Sequence, residues 1–169
     1  MGEILSKTPG RVIVGVADLK LATGPTGSIT THALGSCIGL TVYDPETHVG
    51  GMLHYMLAAP KDKEKARQKP AMYAVSGIPL LFREAYELGA AKERLIVCAA
   101  GASEILDDRA GFSIGKRNRT MLRKLFWKNG IVLHAEDTGG NVARHMTLDL
   151  ATGQVTVRIK SEETVLWRP

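Results

Sequence analysis

Aromatic residues make up only 5 % of this 169-residue chain, and cysteine occurs twice, at Cys37 and Cys98. Two cysteines build no disulfide framework, and a chain of this length buries enough apolar surface to fold without one. A reducing, cytoplasmic setting is therefore expected. No apolar run approaches the roughly 20 residues a membrane-spanning helix needs, so no membrane insertion is expected, and the opening MGEILSKTPG lacks the apolar core of a secretory signal. CxxC and HxxxH are both missing. His32, His48, His134 and His145 have no cysteine or carboxylate at ligand spacing, which excludes a zinc site and leaves no metal to expect. TGPTGS (residues 23–28) lacks the GxxxxGK[ST] spacing of a phosphate loop and reads as a plain turn.

What is present is a mixed, moderately basic chain. Lys and Arg number 22 against 17 Asp and Glu, a net charge of +5 that favours an acidic partner. Nucleic acid is disfavoured, because Phe82, Phe112, Phe126, Trp127 and Trp167 are dispersed and form no stacking platform. An apolar content of 44 % with no repeat and no shift in composition predicts one globular domain over residues 1–169.

Strands are predicted at residues 11–16, 38–43, 50–57, 94–99, 131–136, 144–150 and 154–160, with a Gly/Thr/Pro-rich connection at residues 21–28. DPETH between the second and third strands marks a hairpin. Residues 61–69, KDKEKARQK, have no apolar periodicity and predict a solvated loop. Two helices are predicted, at residues 78–88 with Pro79 in the first turn and at residues 118–129 closed by Gly130. The fold class is α/β (α+β): a single layered domain with mixed, mostly antiparallel sheets and two main helices.

The chemistry-bearing stretch is THALGSCIGLTVYDPETHVGGMLHYML, residues 31–57. If residues 44–47 form a four-residue loop, Cys37 lies directly opposite His54, within reach of a thiol-to-imidazole contact. Gly35, Gly39, Gly50 and Gly51 strip side chains from both runs, as though a backbone or ligand needs room there. A histidine can take the proton of such a cysteine and return it to a leaving group. Thr30 or Thr31 could orient the ring, no Asp or Asn being near in sequence. The rival reading is plain: a strand cysteine as a small buried hydrophobe and a histidine as a satisfied core group. Cys98, inside RLIVCAAG, reads as core.

The run LGSCIGLTVYDPETHVGGMLHYML resembles the active-site region of CheD, the chemoreceptor glutamine deamidase family of bacterial chemotaxis. GIPLLFREAYELGA resembles that family's first long helix. The C-terminal half carries signatures similar to its G-x-R-N and A-E-D-x-G-G-N motifs. The resemblance implies a cysteine hydrolase fold of the deamidase-toxin kind and a catalytic set at Cys37, His54 and Thr31. It implies oxyanion donors from the backbone around Ser36 and Ile38, and no cofactor. It further implies a substrate glutamine on the cytoplasmic helices of methyl-accepting chemoreceptors, with glutamyl methyl esters as easier substrates for the same residues. Arg117, Arg119, Arg123 and Lys124 become candidates for docking an acidic receptor helix. A CheC-like phosphatase is the implied regulatory partner, although AAGASEILDDRAGFS (residues 99–113) departs from the family's pattern where that partner would bind. The alternative is a non-catalytic module that binds chemoreceptor or CheC through the same fold.

Overall fold

The computed structural model describes the backbone of residues 3–5 and the whole of residues 10–104 and 113–169. Along these residues run β1 (Glu3–Leu5), β2 (Arg11–Val14), β3 (Asp18–Thr23), β4 (Ser28–Leu34), β5 (Ile38–Asp44), β6 (Val49–Tyr55), α1 (Lys63–Gln68), α2 (Ala74–Glu87) and β7 (Ile96–Gly101). They continue with α3 (Ile114–Asn129), β8 (Ala135–Thr138), β9 (Arg144–Asp149), β10 (Val155–Ile159) and β11 (Glu162–Trp167). One sheet has the order β1-β3-β6-β5-β7-β8 and the other β11-β10-β9-β4-β2. The pairs β1–β3, β2–β4 and β7–β8 are parallel and the rest antiparallel, the mixed α/β arrangement expected from the sequence.

Every residue of β5 and β6 is buried, because both faces of these central strands are covered. On one face Ile38, Leu40, Val42, Leu53 and Tyr55 pack with Ile78 and Leu81 of α2 and with Leu122 and Phe126 of α3. On the other, Tyr43 and Met52 meet Ile29 and Leu34 of β4 and Met146 and Leu148 of β9. The result is three layers: helices, the first sheet, the second sheet. Each fully buried leucine contributes roughly 1.5–3 kcal/mol of hydrophobic stabilisation.

The glycines expected to open a crevice do something else. A Cβ on Gly39 would come within 2.9 Å of Leu34 Cδ1, one on Gly50 would collide with Leu150, and one on Gly51 would lie 2.9 Å from Leu81 Cδ1. Their bareness is filled by leucines from the layers above and below. It lets the sheets approach closely.

Helical boundaries also move. α2 starts at Ala74, so Pro79 sits inside the helix on its exposed side rather than in the first turn. Bare Gly77 brings that first turn against Leu53, where a Cβ would lie at 3.1 Å. α3 starts at Ile114, with Ser113 accepting from the N–H of Lys116, and it ends at Gly130 in the left-handed conformation. Residues 63–68 form a short helix where a loop was expected. Asp62 caps it and none of its residues is buried. The strand expected at residues 131–136 begins only at Ala135.

The hairpin register differs from the expected one by two residues. Ile38 pairs with Tyr55, Gly39 with His54 and Asp44 with Val49, so His54 faces Gly39 and Cys37 precedes the strand. Asp44 is the cause. It was assigned to the loop, but its carboxylate accepts the N–H groups of Glu46 at 2.9 Å and Ala91 at 2.9 Å, and takes Arg94 on both oxygens at 2.7 and 3.0 Å. Those bonds hold Asp44 in the ladder and make residues 45–48 the loop. They also keep its carboxyl well below the usual carboxylate range, chiefly through Arg94 and despite the opposing effect of burial.

Asp44→Ala is expected to lower unfolding free energy in urea at neutral pH by about 2 kcal/mol, since it strands Arg94 and unsatisfies the turn. Because the folded pKa is depressed, this contribution is whole above the ordinary value of 3.8 and is lost as pH falls below it. Wild type and variant should therefore converge in strong acid.

Candidate active site

β4 in the second sheet and β6 in the first carry inward-facing side chains that meet between the sheets. Thr31, fully buried, sits on β4 with its Oγ1 at 2.7 Å from Nδ1 of His54 on β6. The same hydroxyl donates its single proton to the carbonyl of Val14, 2.8 Å away on β2. Toward the ring it can therefore only accept, so Nδ1 carries the hydrogen and Nε2 presents a lone pair. Nε2 is buried and has no hydrogen-bond partner among the described residues. A β-bulge follows at once: the register to β9 slips between Thr31 and Leu34, with Ala33 at φ 55°. It redirects the chain into the turn that holds Cys37.

Cys37 stands two positions before Gly39, the residue paired with His54. It is thus the diagonal neighbour of the imidazole on the same face of the sheet, rather than directly opposite as the simple register had it. It packs against the inter-sheet cluster and remains partly exposed to solvent. The turn before it is tied down by its carbonyls. Gly35 O accepts from Ser103 N at 2.8 Å, Ser36 O from Asn118 Nδ2 at 2.9 Å, and Cys37 O from Ala102 N at 2.8 Å. In a planar trans peptide the N–H points away from the C=O. With the Gly35 and Ser36 carbonyls held by Ser103 and Asn118, the N–H groups of Ser36 and Cys37 turn away from those partners, whereas the Ile38 N–H, opposite a Cys37 carbonyl bound on the β7 side, points toward its ladder partner Tyr55 on β6. Those of Ser36 and Cys37 donate to no backbone carbonyl among the described residues.

Burial sets the electrostatics. His54 is 1 % exposed, and desolvation brings its pKa down from 6.5 to about 4, with Asp18, its partner across β3, pulling the other way. Desolvation likewise raises the Cys37 thiol, opposed in part by its own backbone N–H. At neutral pH each group is thus uncharged, a thiol at Cys37 and a neutral imidazole at His54, and among the described residues no hydrogen bond joins the two. Cys98 is fully buried, its thiol pushed up to about 12, and belongs to the core as expected.

A profile of the CheD family, described as CheD chemotactic sensory transduction, matches residues 56–159. A protein of Syntrophus aciditrophicus (strain SB) named "Probable chemoreceptor glutamine deamidase CheD 1" is 47 % identical over 88 % of this chain and 94 % of its own length. Proteins named as CheD deamidases in Solibacter usitatus (strain Ellin6076) and Pyrococcus horikoshii are 43 % and 40 % identical, each over 92 % of this chain and 93 % and 96 % of their own lengths. The chain belongs to the CheD family. The family profile begins just after His54, but a continuous match over 88 % of the chain necessarily includes Thr31, Cys37 and His54.

The other residues singled out from the sequence fall in several places on this CheD-family fold. Arg117 and Lys124 line, with Ala58, Lys116, Thr120 and Met121, a cleft of about 480 Å³ that starts beside the segment following His54. Arg119 and Arg123 do not join them. Arg123 pairs with Glu136 at 2.7 Å, and the Arg119 guanidinium lies over Gly139. His48 accepts or donates to the Tyr43 hydroxyl at 2.8 Å, and Nδ1 of His134 accepts from Val97 N at 3.1 Å. Most of the stretch that departs from the family's pattern, residues 105–112, lies outside the described residues. No helix among the described residues is long and apolar enough to cross a membrane.

Sequence reasoning gave no role to Asp18, Gly101 or Asn118, although Asn118 closes the G-x-R-N signature at residues 115–118. Asp18 opens β3, of which residues 18–20 were given no element and 21–23 fell in the expected connection, although its alternating D-L-K-L pattern was a signal. Gly101, with φ +113°, backs directly onto the Cys37 carbonyl, where a Cβ would overlap it. Gly101→Ala is expected to cost roughly 2 kcal/mol of stability. It should also displace residues 35–37, readable in the crystal structure of the variant and as altered alkylation of Cys37.

Proposed function

We propose that this chain is a chemoreceptor glutamine deamidase that uses Cys37 as nucleophile, His54 as proton carrier and Thr31 as the group that orients the ring. One observation carries the reading: the buried Thr31–His54 hydrogen bond, which leaves an unpartnered Nε2 on the same face as the partly exposed thiol of Cys37. The names of the relatives supply the reaction class and the substrate.

The steps follow from the protonation states. As Sγ of Cys37 forms its bond to the carboxamide carbon, its proton passes to Nε2 of His54 and the carbonyl electron pair moves onto oxygen. The oxyanion is received by the N–H groups of the turn at Ser36 and Cys37. Collapse breaks the C–N bond, and the imidazolium returns its proton to nitrogen, releasing ammonia and leaving a thioester. Water then gives a proton to Nε2 as it attacks, and the departing sulfur takes that proton back. Glutamine and water become glutamate and ammonia, and the site is restored. Asp18, close enough to raise the His54 pKa, stabilises the transient imidazolium. The same sequence acts on a glutamyl methyl ester, with methanol leaving. Arg117 and Lys124 beside the cleft at residues 58 and 113–124 suit an acidic receptor helix in the cytoplasm.

Incubating the protein with a receptor cytoplasmic fragment should convert glutamine to glutamate, read by mass spectrometry. Cys37→Ala should abolish conversion while leaving receptor binding intact, and binding without wild-type conversion would instead favour the non-catalytic module. Thr31→Val should lower kcat by roughly 10²-fold, because the ring loses the acceptor that holds its tautomer. Thr31→Ser should recover most of it. The acid limb of kcat/KM is expected near pH 4, since His54 is a competent base only above its depressed pKa of about 4. A limb at the ordinary 6.5 would contradict a buried, neutral imidazole.

A further inference from the structure

Asn118 lies on α3, far in sequence from Thr31, Cys37 and His54, and its side chain is completely buried. Its one amide nitrogen donates to two backbone carbonyls: Ser36 at 2.9 Å, immediately before the nucleophile, and Met56 at 2.8 Å, just beyond the strand that carries His54. Its own backbone carbonyl accepts the buried Tyr55 hydroxyl at 3.0 Å. Its Oδ1, also buried, has no hydrogen-bond partner among the described residues. A buried acceptor left bare is unfavourable, so this side chain is not the cheapest way to fill the space. What it achieves is to tie the turn before Cys37 to the segment after His54 through one rigid planar group.

We propose that Asn118 is a positioning residue that locks the Ser36–Cys37 peptide so that the Cys37 N–H faces the oxyanion of the acyl-transfer steps. The proposal rests on the hydrolytic reading of Cys37. A trans peptide points its N–H opposite to its C=O, so gripping the Ser36 carbonyl from the α3 side directs the Cys37 N–H toward the substrate side. The neighbouring peptides are gripped by backbone donors, Ser103 N on Gly35 O and Ala102 N on Cys37 O, which side-chain substitution leaves in place. Only the middle peptide depends on a side chain. Without that grip it is free to rotate, and the turn presents a carbonyl where a donor is required. Gly115 supports the same arrangement. A Cβ there would lie 2.6 Å from the Ala102 carbonyl, so the helix brings Asn118 in by running bare against the strand end that holds the turn.

Asn118→Ala tests this with the full chain. A donor that acts on the oxyanion stabilises the transition state more than the bound substrate. On a receptor fragment, kcat is therefore expected to fall about 10²-fold with KM within about twofold of wild type. Alkylation by iodoacetamide, resolved by mass spectrometry, reads the turn separately from turnover: Cys37 should label several-fold faster as the turn loosens, while fully buried Cys98 stays unlabelled and certifies an intact fold. Leu122→Ala, one turn along the same helix and equally buried, is the stability control and should lower Tm without the fall in kcat. If Asn118→Ala does not fold, Asn118→Ser, whose hydroxyl cannot bridge both carbonyls, is expected to show the same loss. Unchanged kcat in a folded variant, or Cys37 and Cys98 labelling in step, overturns the proposal. If wild type converts no glutamine, the hydrolytic reading falls, whereas a wild type that converts it and an Asn118→Ala that does so equally well refutes the positioning role alone.

Discussion

One hydroxyl proton organises the site. Thr31 gives it to the Val14 carbonyl, and from that single choice follow the acceptor role toward Nδ1, the hydrogen on Nδ1 and the lone pair on Nε2. The bond also joins two different sheets, so it exists only while they stay close. Gly39 and Gly50 maintain that closeness. Side chains there would meet Leu34, Met146, Leu148 and Leu150 of the facing layer and push the sheets apart. A hydrogen bond of 2.7 Å has no slack for such a shift. Interlayer packing of glycine against leucine is thus part of the apparatus that selects a tautomer.

The same dryness governs charge. Burial opposes both the imidazolium and the thiolate, so the pair rests uncharged instead of as the preformed ion pair common among reactive cysteines. A neutral thiol is a sluggish target for passing electrophiles. The arrangement carries a linked cost in acid. The unfolded chain protonates its histidine near 6.5 and the folded one near 4, so across that interval falling pH destabilises the fold. A site held together by a neutral ring is most stable where that ring is also a competent base.

How far the sequence reveals all this depends on the distance over which each constraint acts. Local patterning exposes the central hairpin, both long helices and the small-residue run around Cys37, because period and turn chemistry are written within a few residues. It placed Cys37 and His54 on one face correctly even with the register off by two, since a shift of two preserves side-chain direction. The shift itself came from Asp44, whose tie to Arg94 spans the strand, loop and helix between them and leaves no local trace. The glycines show a subtler failure. Their bareness was legible, but whether it admits a ligand or a leucine depends on facing layers contributed by β4, by α2 and by β9, the last about a hundred residues downstream. Asn118 and Gly101 are illegible for the same reason: their meaning is the carbonyl each one meets.

The turn that bears Cys37 is held entirely by its acceptors. The carbonyls of Gly35, Ser36 and Cys37 are engaged by the end of β7 and by α3, elements that already pack together through the helix-side core. Holding the Gly35 and Ser36 carbonyls turns the N–H groups of Ser36 and Cys37 away from those partners. No charged side chain is needed for this. The helix layer therefore shapes the turn from a distance: through Asn118 it fixes the direction of the peptide that precedes Cys37.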